Sequence, residues 1–162
     1  MISIKVKKGY DLSIEGKPSL DLKELKKPSH VAALPEKIPF IKPRLLKEKG
    51  DKVKIGSALF EDKQNPDMKF MSPGGGEIVQ INFGPRRVIK AVVIQLDSVE
   101  SYDAFDSVSE TELGRLERKE LVKRLLAGGV WPLIRAFPFR DIAHPDEEPP
   151  AIFVSLNAEE PF

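Results

Sequence analysis

The 162-residue chain contains no cysteine and only two histidines, His30 and His144. Without thiols it forms no disulfide, no thiolate-ligated iron–sulfur cluster, no cysteine zinc site and no cysteine nucleophile. Two histidines are too few for most all-nitrogen metal sites, and neither has a carboxylate or histidine at a recognisable ligand spacing. No Ser/His/Asp arrangement supports hydrolysis. We therefore assign no catalytic, cofactor-binding or metal-ligating residue from the sequence.

Strong charge and long apolar runs are also absent. The 26 Lys+Arg and 25 Asp+Glu residues leave a net charge of +1, without the basic excess typical of nucleic-acid-binding proteins. Apolar runs such as residues 31–34 and 91–94 are far shorter than the roughly 20 residues that cross a bilayer. Residues 1–8 alternate apolar and polar side chains and lack the apolar stretch of a signal peptide. We expect a chain without a membrane span that starts in the cytoplasm.

Residues 1–100 are typical of short strands separated by turns. Eight prolines between residues 18 and 85 exclude long helices there. Val79, Ile81 and Phe83 alternate with polar residues, which predicts a half-buried strand, and residues 88–96 form a more apolar, β-branched run. The glycine turns at residues 49–56 (KGDKVKIG) and 83–89 (FGPRRVI) repeat weakly, which suits two similar halves. These patterns predict a small sandwich or barrel.

Residues 101–162 have a different composition. A polar, acidic linker is expected at residues 98–107, followed by a capping box from Ser109 to Glu112 that begins a helix. Gly114 divides this region into two short helices and Gly128 ends the second. The apolar stripe of the second helix comprises Leu121, Val122, Leu125 and Leu126. Pro132 favours one further helical turn, and residues 137–150 are predicted to be loop.

The apolar run at residues 151–156 (AIFVSL) predicts a strand covered on both faces, as in a parallel sheet. Such a strand needs neighbours that are reached through crossover helices. We therefore expect that the natural protein continues and that this chain is an N-terminal piece ending inside its second domain.

Several segments resemble known families. Residues 49–61 (KGDKVKIGSALFE) and 72–78 (SPGGGEI) resemble the two half-motifs of biotinyl/lipoyl-type barrel-sandwich hybrids. Residues 8–18 (KGYDLSIEGKP), residues 59–66 (LFEDKQNP), Arg87-Val88 and the tail from residue 129 to 154 resemble the A subunit of the Na⁺-translocating NADH:quinone oxidoreductases. This resemblance covers essentially the whole chain, and members of that family are considerably longer. The chain is also similar to the C subunit of Rnf complexes and to the NADH- and flavin-binding subunit of complex I.

The resemblance implies a mainly β barrel-sandwich hybrid at residues 1–100, followed at 101–162 by a linker, a helix and the first strand of a truncated α/β domain. It implies the N-terminal part of a peripheral subunit on the cytoplasmic side of the bacterial inner membrane. The whole complex oxidises NADH, passes electrons through flavins and an iron–sulfur centre in other subunits, reduces quinone and pumps sodium. The chain would contribute to quinone reduction, to docking of partner subunits, or to both. The C subunit of an Rnf-type complex and a pure adaptor are the alternatives.

The resemblance also locates a segment related to a cofactor site. The relatives hold nucleotide and flavin on a glycine-rich loop at a helix start, where free amides favour phosphate. Residues 128–135 (GGVWPLIR) correspond to it, but Trp131 is bulky and Pro132 has no amide proton. We therefore predict that the chain itself binds neither FMN nor NADH.

Other motifs allow a functional and a structural interpretation, and we favour the structural one in each case. Lys63 lies near the tip where carrier domains bear a modified lysine, but its flanks match no modification motif, so an exposed lysine is expected. Gly74-Gly75-Gly76 could bind phosphate or form a tight turn, and Arg86-Arg87 with Lys90 could contact an acidic partner or form a solvated turn. His30 and His144 could be ligands or capping groups, and Asp146-Glu147-Glu148 could bind a cation or be charged loop residues. Trp131 could stack on a quinone or flavin, or pack in the core.

Overall fold

A computed structural model describes residues 15, 16, 19, 21 and 24–154 of the chain. The described strands are β1 (His30–Ala33), β2 (Pro43–Leu45), β3 (Lys52–Val53), β4 (Ala58–Asp62), β5 (Asn65–Met71), β6 (Gly76–Phe83), β7 (Ile89–Leu96), β8 (Arg135–Ala136) and β9 (Asp141–Ile142). The helices are α1 (Glu110–Leu113) and α2 (Arg118–Ala127), and 3-10 turns occur at Pro35–Lys37, Pro85–Arg87 and Trp131–Leu133.

The strands form two main sheets and a small hairpin. One sheet has the order β1-β7-β6-β3, the other has the order β2-β4-β5, and β8 pairs with β9. All of these described pairs are antiparallel, so hairpins and short connections suffice to link them. The predicted strands at Val79–Phe83 and 88–96 are confirmed as parts of β6 and β7.

A single hydrophobic core joins both sheets to the C-terminal half. Ile78, Val92 and Ile94 of the first sheet and Leu59 and Phe60 of the second are almost completely buried. The Phe60 and Phe70 rings stack with centroids 4.8 Å apart. Leu126 of α2 and Trp131 belong to the same cluster, so the helical segment packs directly on the sheets.

The helical predictions for residues 109–134 are confirmed in the structure. The Ser109 side chain accepts from the Glu112 amide while the Glu112 carboxylate accepts from the Ser109 amide, which is the predicted capping box. The Ser109 amide and hydroxyl both donate to the Glu112 carboxylate, and these two hydrogen bonds lower the pKa of Glu112. Gly114 ends α1, Gly128 ends α2, and Pro132 lies in the 3-10 turn that follows.

The predicted linker is partly attached to the first sheet region. The Ile55 amide donates to the Ser101 carbonyl at 2.9 Å, and the Asp103 amide donates to the Ile55 carbonyl at 2.8 Å. These bonds form an isolated parallel bridge between Ile55 and Tyr102. The Ser57 hydroxyl also donates to the Asp103 carboxylate at 2.7 Å. Residues 101–103 are therefore held by hydrogen bonds to the segment that follows β3 rather than extended freely in solvent.

The predicted buried strand at residues 151–156 is wrong over its described part. Residues 151–154 have no strand pairing, and Ile152, Phe153 and Val154 are exposed. The physical reason is that the described strands supply no parallel neighbour beside which an apolar strand becomes buried on both faces. Residues 155 and 156, residues 1–8, and most of the family-like segment 8–18 lie outside the described residues.

No helix within the described ranges is long and apolar enough to cross a membrane.

Candidate functional site

The β4–β5 hairpin places Lys63 at an exposed tip. Asp62 pairs with Asn65 across the turn, so Lys63 and Gln64 form a two-residue loop. The buried Asp62 carboxylate accepts from the Lys42 amide at 2.9 Å and from the Gln64 amide at 3.2 Å. The Lys63 amide donates to the Lys42 carbonyl at 2.8 Å. The turn is thus held by backbone and carboxylate hydrogen bonds that leave the Lys63 side chain exposed.

A charged ladder crosses the sheet next to this tip. Arg44, Glu61 and Lys69 lie opposite one another on β2, β4 and β5. The Glu61 carboxylate, 3% exposed, accepts from both Nε and Nη2 of Arg44 and from Nζ of Lys69, the last at 2.8 Å. The Lys69 hydrogen bond and then the Arg44 hydrogen bonds lower the pKa of Glu61, and burial opposes them. The ladder therefore holds an ionised carboxylate under the hairpin.

Two clefts meet at the hairpin tip, where both are lined by Gln64, Asn65, His144 and Pro145. The larger cleft, about 730 Å³, lies between the start of β5 and one face of α2. The smaller cleft, about 380 Å³, has apolar walls and polar groups in the same space. Its further lining residues are Pro39, Phe40, Ile41, Asp62, Met68, Asp141, Ile142 and Ala143.

The smaller cleft combines apolar side chains with hydrogen-bonding groups. Phe40, Met68 and Ile142 offer apolar surface, and the side-chain amides of Gln64 and Asn65 are hydrogen-bond donors. Asp141 Oδ1 is buried, and no described residue makes a hydrogen bond with it. An unpaired buried oxygen is unfavourable, but this atom has almost no accessible surface and therefore does not mark a ligand contact. We define this cleft as the candidate site.

The glycine-rich segment that corresponds to a cofactor loop has no free amides of the expected kind. Gly128 and Gly129 lie at the end of α2, not at a helix start. The Gly129 amide donates to the Leu126 carbonyl and the Val130 amide to the Leu125 carbonyl, which is a Schellman cap. A Cβ on Gly129 would overlap the Met71 side chain, so that face is already filled. The segment is therefore structural in this fold.

Trp131 has a packing role in the described structure. Its indole is 6% exposed and donates to the Ala143 carbonyl at 2.7 Å. This bond ties the 3-10 turn to the end of β9, next to the candidate cleft. The indole lies in the hydrophobic core with Leu126 and contributes no ring face to either cleft.

The other sequence motifs do not come together into one site. Gly74 and Gly76 are buried, and a Cβ at either would overlap Leu96 or Gln95, so the run is a tight turn. Arg86 and Arg87 form an exposed turn with φ of 55° and 57°, and the Arg87 guanidinium lies 5.9 Å from the Phe83 ring centroid. Asp146-Glu147-Glu148 is an exposed loop segment.

The two histidines lie apart and hold local structure. His30 begins β1, and its Nδ1 is 2.9 Å from the hydroxyl of the preceding Ser29. His144 Nδ1 accepts from the Asp146 amide at 3.4 Å, so this residue caps a turn while lining both clefts. No group of three His, Cys, Asp or Glu side chains that could hold a metal ion occurs among the residues that the structure describes.

The sequence analysis assigned no site residue and predicted neither the cleft nor the charged ladder, although Lys63 is exposed as it predicted. A charged pair, Glu61-Asp62, following the apolar Leu59-Phe60 inside a strand, was the available signal for a partnered buried carboxylate. Nothing in the sequence indicated that Phe40, Met68 and Asp141 would face one space, since they come from three separate elements.

Comparisons with known proteins match both halves of the chain. The NqrA N-terminal barrel-sandwich hybrid domain matches residues 4–97, and the NqrA second alpha/beta domain matches residues 116–162. These matches confirm the predicted fold class, a barrel-sandwich hybrid followed by part of an α/β domain. The boundary between residues 100 and 101 and the relation to the C subunit of Rnf complexes stay predictions.

Curated relatives agree with these domain matches. Over 159 residues, 98% of this chain, the chain is 39% identical to the A subunit of the Na(+)-translocating NADH-quinone reductase of Yersinia pseudotuberculosis serotype O:1b (strain IP 31758). Over the same length it is 37% identical to the protein of that name from Neisseria meningitidis serogroup C. The chain spans only 35% of the length of each relative. Because the N-terminal domain match alone spans more than half of its residues, the chain belongs to the NqrA family.

Proposed function

We propose that the chain is the N-terminal part of the peripheral A subunit of a sodium-translocating NADH:quinone oxidoreductase. Family membership across residues 4–97 and 116–162 carries this proposal. In the complex, NADH is the reductant, and flavins and an iron–sulfur centre of other subunits carry the electrons to quinone. The chain lies on the cytoplasmic side of the bacterial inner membrane and contacts partner subunits there.

Within that role, the candidate cleft is the place where this chain meets the quinone ring. The cleft has a volume of about 380 Å³ and is lined by polar and apolar side chains in similar proportion, so a ring can contact apolar groups while its oxygens meet polar ones. The quinone carbonyl oxygens accept hydrogen bonds, and the amides of Gln64 and Asn65 are donors at the cleft wall.

The capped glycine segment supports a quinone or docking role over a flavin or nucleotide role. Its amides bind carbonyls of α2 and its open face is filled by Met71. We expect the purified chain to show no flavin absorbance and no NADH oxidation. Stoichiometric coloured flavin would contradict this expectation and favour the Rnf-type alternative.

A photoreactive quinone analogue tests the cleft directly. On both this chain and a full-length NqrA relative we expect saturable labelling of residues 39–41, 62–68 or 141–145, blocked by excess unlabelled quinone. F40A should reduce labelling because Phe40 lines the cleft. The matched control is F139A, since the two rings are similarly exposed at 75% and 79% and Phe139 lies outside both clefts.

A second pair of variants examines the unpaired carboxylate. D141N should lower the labelling yield because Asp141 lines the smaller cleft, whereas D146N, in the same loop region but outside that cleft, should leave it unchanged. Labelling that is absent from both the chain and the full-length relative, or that F40A and F139A affect equally, would reject the cleft and leave the adaptor alternative.

A further inference from the structure

The connection between β6 and β7 is a basic turn with exposed apolar side chains beside it. The Gly84 amide donates to the Val88 carbonyl at 2.7 Å, and the Val88 amide donates to the Pro85 carbonyl at 3.3 Å, so the turn is closed by its own backbone. It lies within residues 4–97, the matched N-terminal domain, and lines neither cleft. We call the following residues the basic tip: Phe83, Arg86, Arg87, Val88 and Lys90.

The cations of the basic tip have no carboxylate of their own. Arg86, Arg87 and Lys90 are exposed, and none of them forms an ion pair within the part of the chain that the structure describes. The neighbouring 3-10 turn at Pro35–Lys37, which packs on β7, adds one acidic and one basic side chain, whose charges cancel. The tip is therefore strongly positive on a chain whose net charge is only +1. A local excess of this kind attracts and orients a negatively charged partner.

The backbone of the basic tip is strained at two of these cations. Arg86 and Arg87 have left-handed conformations, with φ of 55° and 57°, which few residues other than glycine and asparagine adopt. Glycine would relax the turn but would carry no guanidinium group. Strain of this kind is concentrated at functional positions, where the direction of a side chain matters more than local stability.

Neighbouring side chains also restrict the cations. The Arg87 guanidinium lies 5.9 Å from the centroid of the Phe83 ring, which is within the range of a cation–π contact. The Lys90 side chain fills the space beside Gly84, where a Cβ would lie 2.6 Å from Lys90 Cε. Phe83 and Val88 are each 49% exposed and leave apolar surface next to the charges. The tip thus presents preorganised cations together with apolar contacts, which is the composition of a protein interface.

We propose that the basic tip docks this chain on a carboxylate-bearing surface of a partner subunit. Arg86 and Arg87 donate hydrogen bonds to carboxylates of the partner, while Phe83 and Val88 cover apolar side chains beside them. This inference deepens the proposed function and rests on it for the existence of partner subunits. It is independent of the quinone cleft, so each can fail without the other.

A structured protein fits the basic tip better than an anionic membrane does. The planar guanidinium group binds a carboxylate through two parallel hydrogen bonds, and arginine and aromatic residues are enriched in protein interfaces. Segments that recognise anionic lipid carry about 4–8 Lys or Arg residues, more than the three of the tip, and need no fixed backbone. The strained turn at Arg86 and Arg87 therefore favours a partner with carboxylates at defined positions.

A photoreactive side chain identifies the occupant of the tip. Val88 is replaced by p-benzoylphenylalanine in the full-length A subunit of which this chain is the N-terminal part, and the subunit is produced in cells together with the rest of its complex. Leu113 is the matched control position, because it is 48% exposed and lies on α1. After irradiation, we expect position 88 to cross-link to an Asp- or Glu-rich peptide of one partner subunit, identified by mass spectrometry. Position 113 should not yield that peptide.

Variants of the arginines separate docking from folding. R86G/R87G removes both guanidinium groups and relaxes the left-handed turn, so the Tm of the full-length subunit should equal or exceed the wild-type value. The cross-link yield at position 88 should nevertheless fall about tenfold, because the charge-assisted hydrogen bonds are lost. The matched control is K119A/K123A, which removes two positive charges at exposed positions of α2 and should leave the yield unchanged.

Four results would overturn the proposal. They are the absence of a cross-link at position 88, a cross-link to lipid or to a second A subunit, a cross-linked peptide without Asp or Glu, and an equal loss of yield in R86G/R87G and K119A/K123A. An A subunit that purifies with its partners but does not cross-link at position 88 keeps the proposed function and rejects the docking role of the tip. A cross-link to an acidic peptide of a protein outside the complex supports the tip as a carboxylate-binding surface and contradicts the proposed function.

Discussion

Replacing Glu61 by glutamine should destabilise the fold by about 2 kcal/mol at neutral pH. Glu61 is 3% exposed and accepts hydrogen bonds from Arg44 and Lys69, so the amide of glutamine would place N–H donors against cations. Hydrogen bonds to charged groups contribute about 1.5–3 kcal/mol, and unpaired buried ions cost about 3–5 kcal/mol. The Arg44 and Lys69 side chains are 55% and 35% exposed and recover part of their hydration, which reduces the loss.

Urea and thermal unfolding measure this difference. Trp131 is the sole tryptophan and is buried, so its fluorescence follows the core, with circular dichroism as the second probe. For a domain of this size, 2 kcal/mol corresponds to a fall in Tm of about 4–8 °C. The matched control is E48Q, because Glu48 is exposed and its side chain has no ion pair in the described structure.

The pH dependence of stability provides a second test of the same interaction. The pKa of Glu61 is lowered in the folded state below its ordinary value of 4.5, so the folded chain binds the proton less readily than the unfolded chain. The stability from Glu61 is complete above that value and is lost as the pH falls through the lower, folded-state pKa. The difference between wild type and E61Q should therefore shrink on acidification below pH 4.5. A difference that stays constant down to pH 3, or E61Q as stable as E48Q, would refute the ladder as a source of stability.

Two further predictions concern backbone positions. G129A should lower the free energy of unfolding in urea by about 1–3 kcal/mol, because φ of Gly129 is +69° and a Cβ there would overlap Met71. The control G114A should be neutral or slightly stabilising, because Gly114 has a helical φ and a Cβ there would meet nothing closer than 3.8 Å. Equal effects of the two substitutions would contradict the cap assignment. D103A should release residues 101–103 from Ile55 and Ser57, which we expect to speed amide hydrogen exchange at Ile55 about tenfold, while D106A at an exposed linker position leaves it unchanged. Unaltered exchange in D103A would mean that the backbone bonds alone hold the segment.

Most local elements of the fold were predictable from the sequence. The alternation through Val79, Ile81 and Phe83 and the β-branched run after Val88 correctly predicted β6 and β7. Ser109 and Glu112 predicted the start of α1, and Gly128 the end of α2. In each case the relevant sterics and hydrogen bonds act between residues a few positions apart, so the pattern itself contains the cause.

Sequence interpretations that differ from the structure depended on partners elsewhere in the chain. The predicted loop at residues 137–150 is wrong at β9 (Asp141–Ile142), which is a strand because it pairs with β8. The predicted linker at residues 98–107 has contacts that its composition does not indicate, since Ile55 and Ser57, more than forty positions earlier, hold residues 101–103. The run at residues 151–154 has the composition of a buried strand, yet composition does not supply the neighbouring strands that would bury it.

By itself, the sequence determined the family, the absence of thiol chemistry, and the local elements β6, β7, α1 and α2 with their caps. Only the tertiary structure decided that Arg44, Glu61 and Lys69 share one ladder, that Met71 fills the space above Gly129, and that Phe40, Met68 and Asp141 line one cleft. The physical reason is the sequence separation of the interacting residues. Local conformation follows from neighbouring dihedral angles and hydrogen bonds, whereas strand register and cleft walls depend on how separate elements pack.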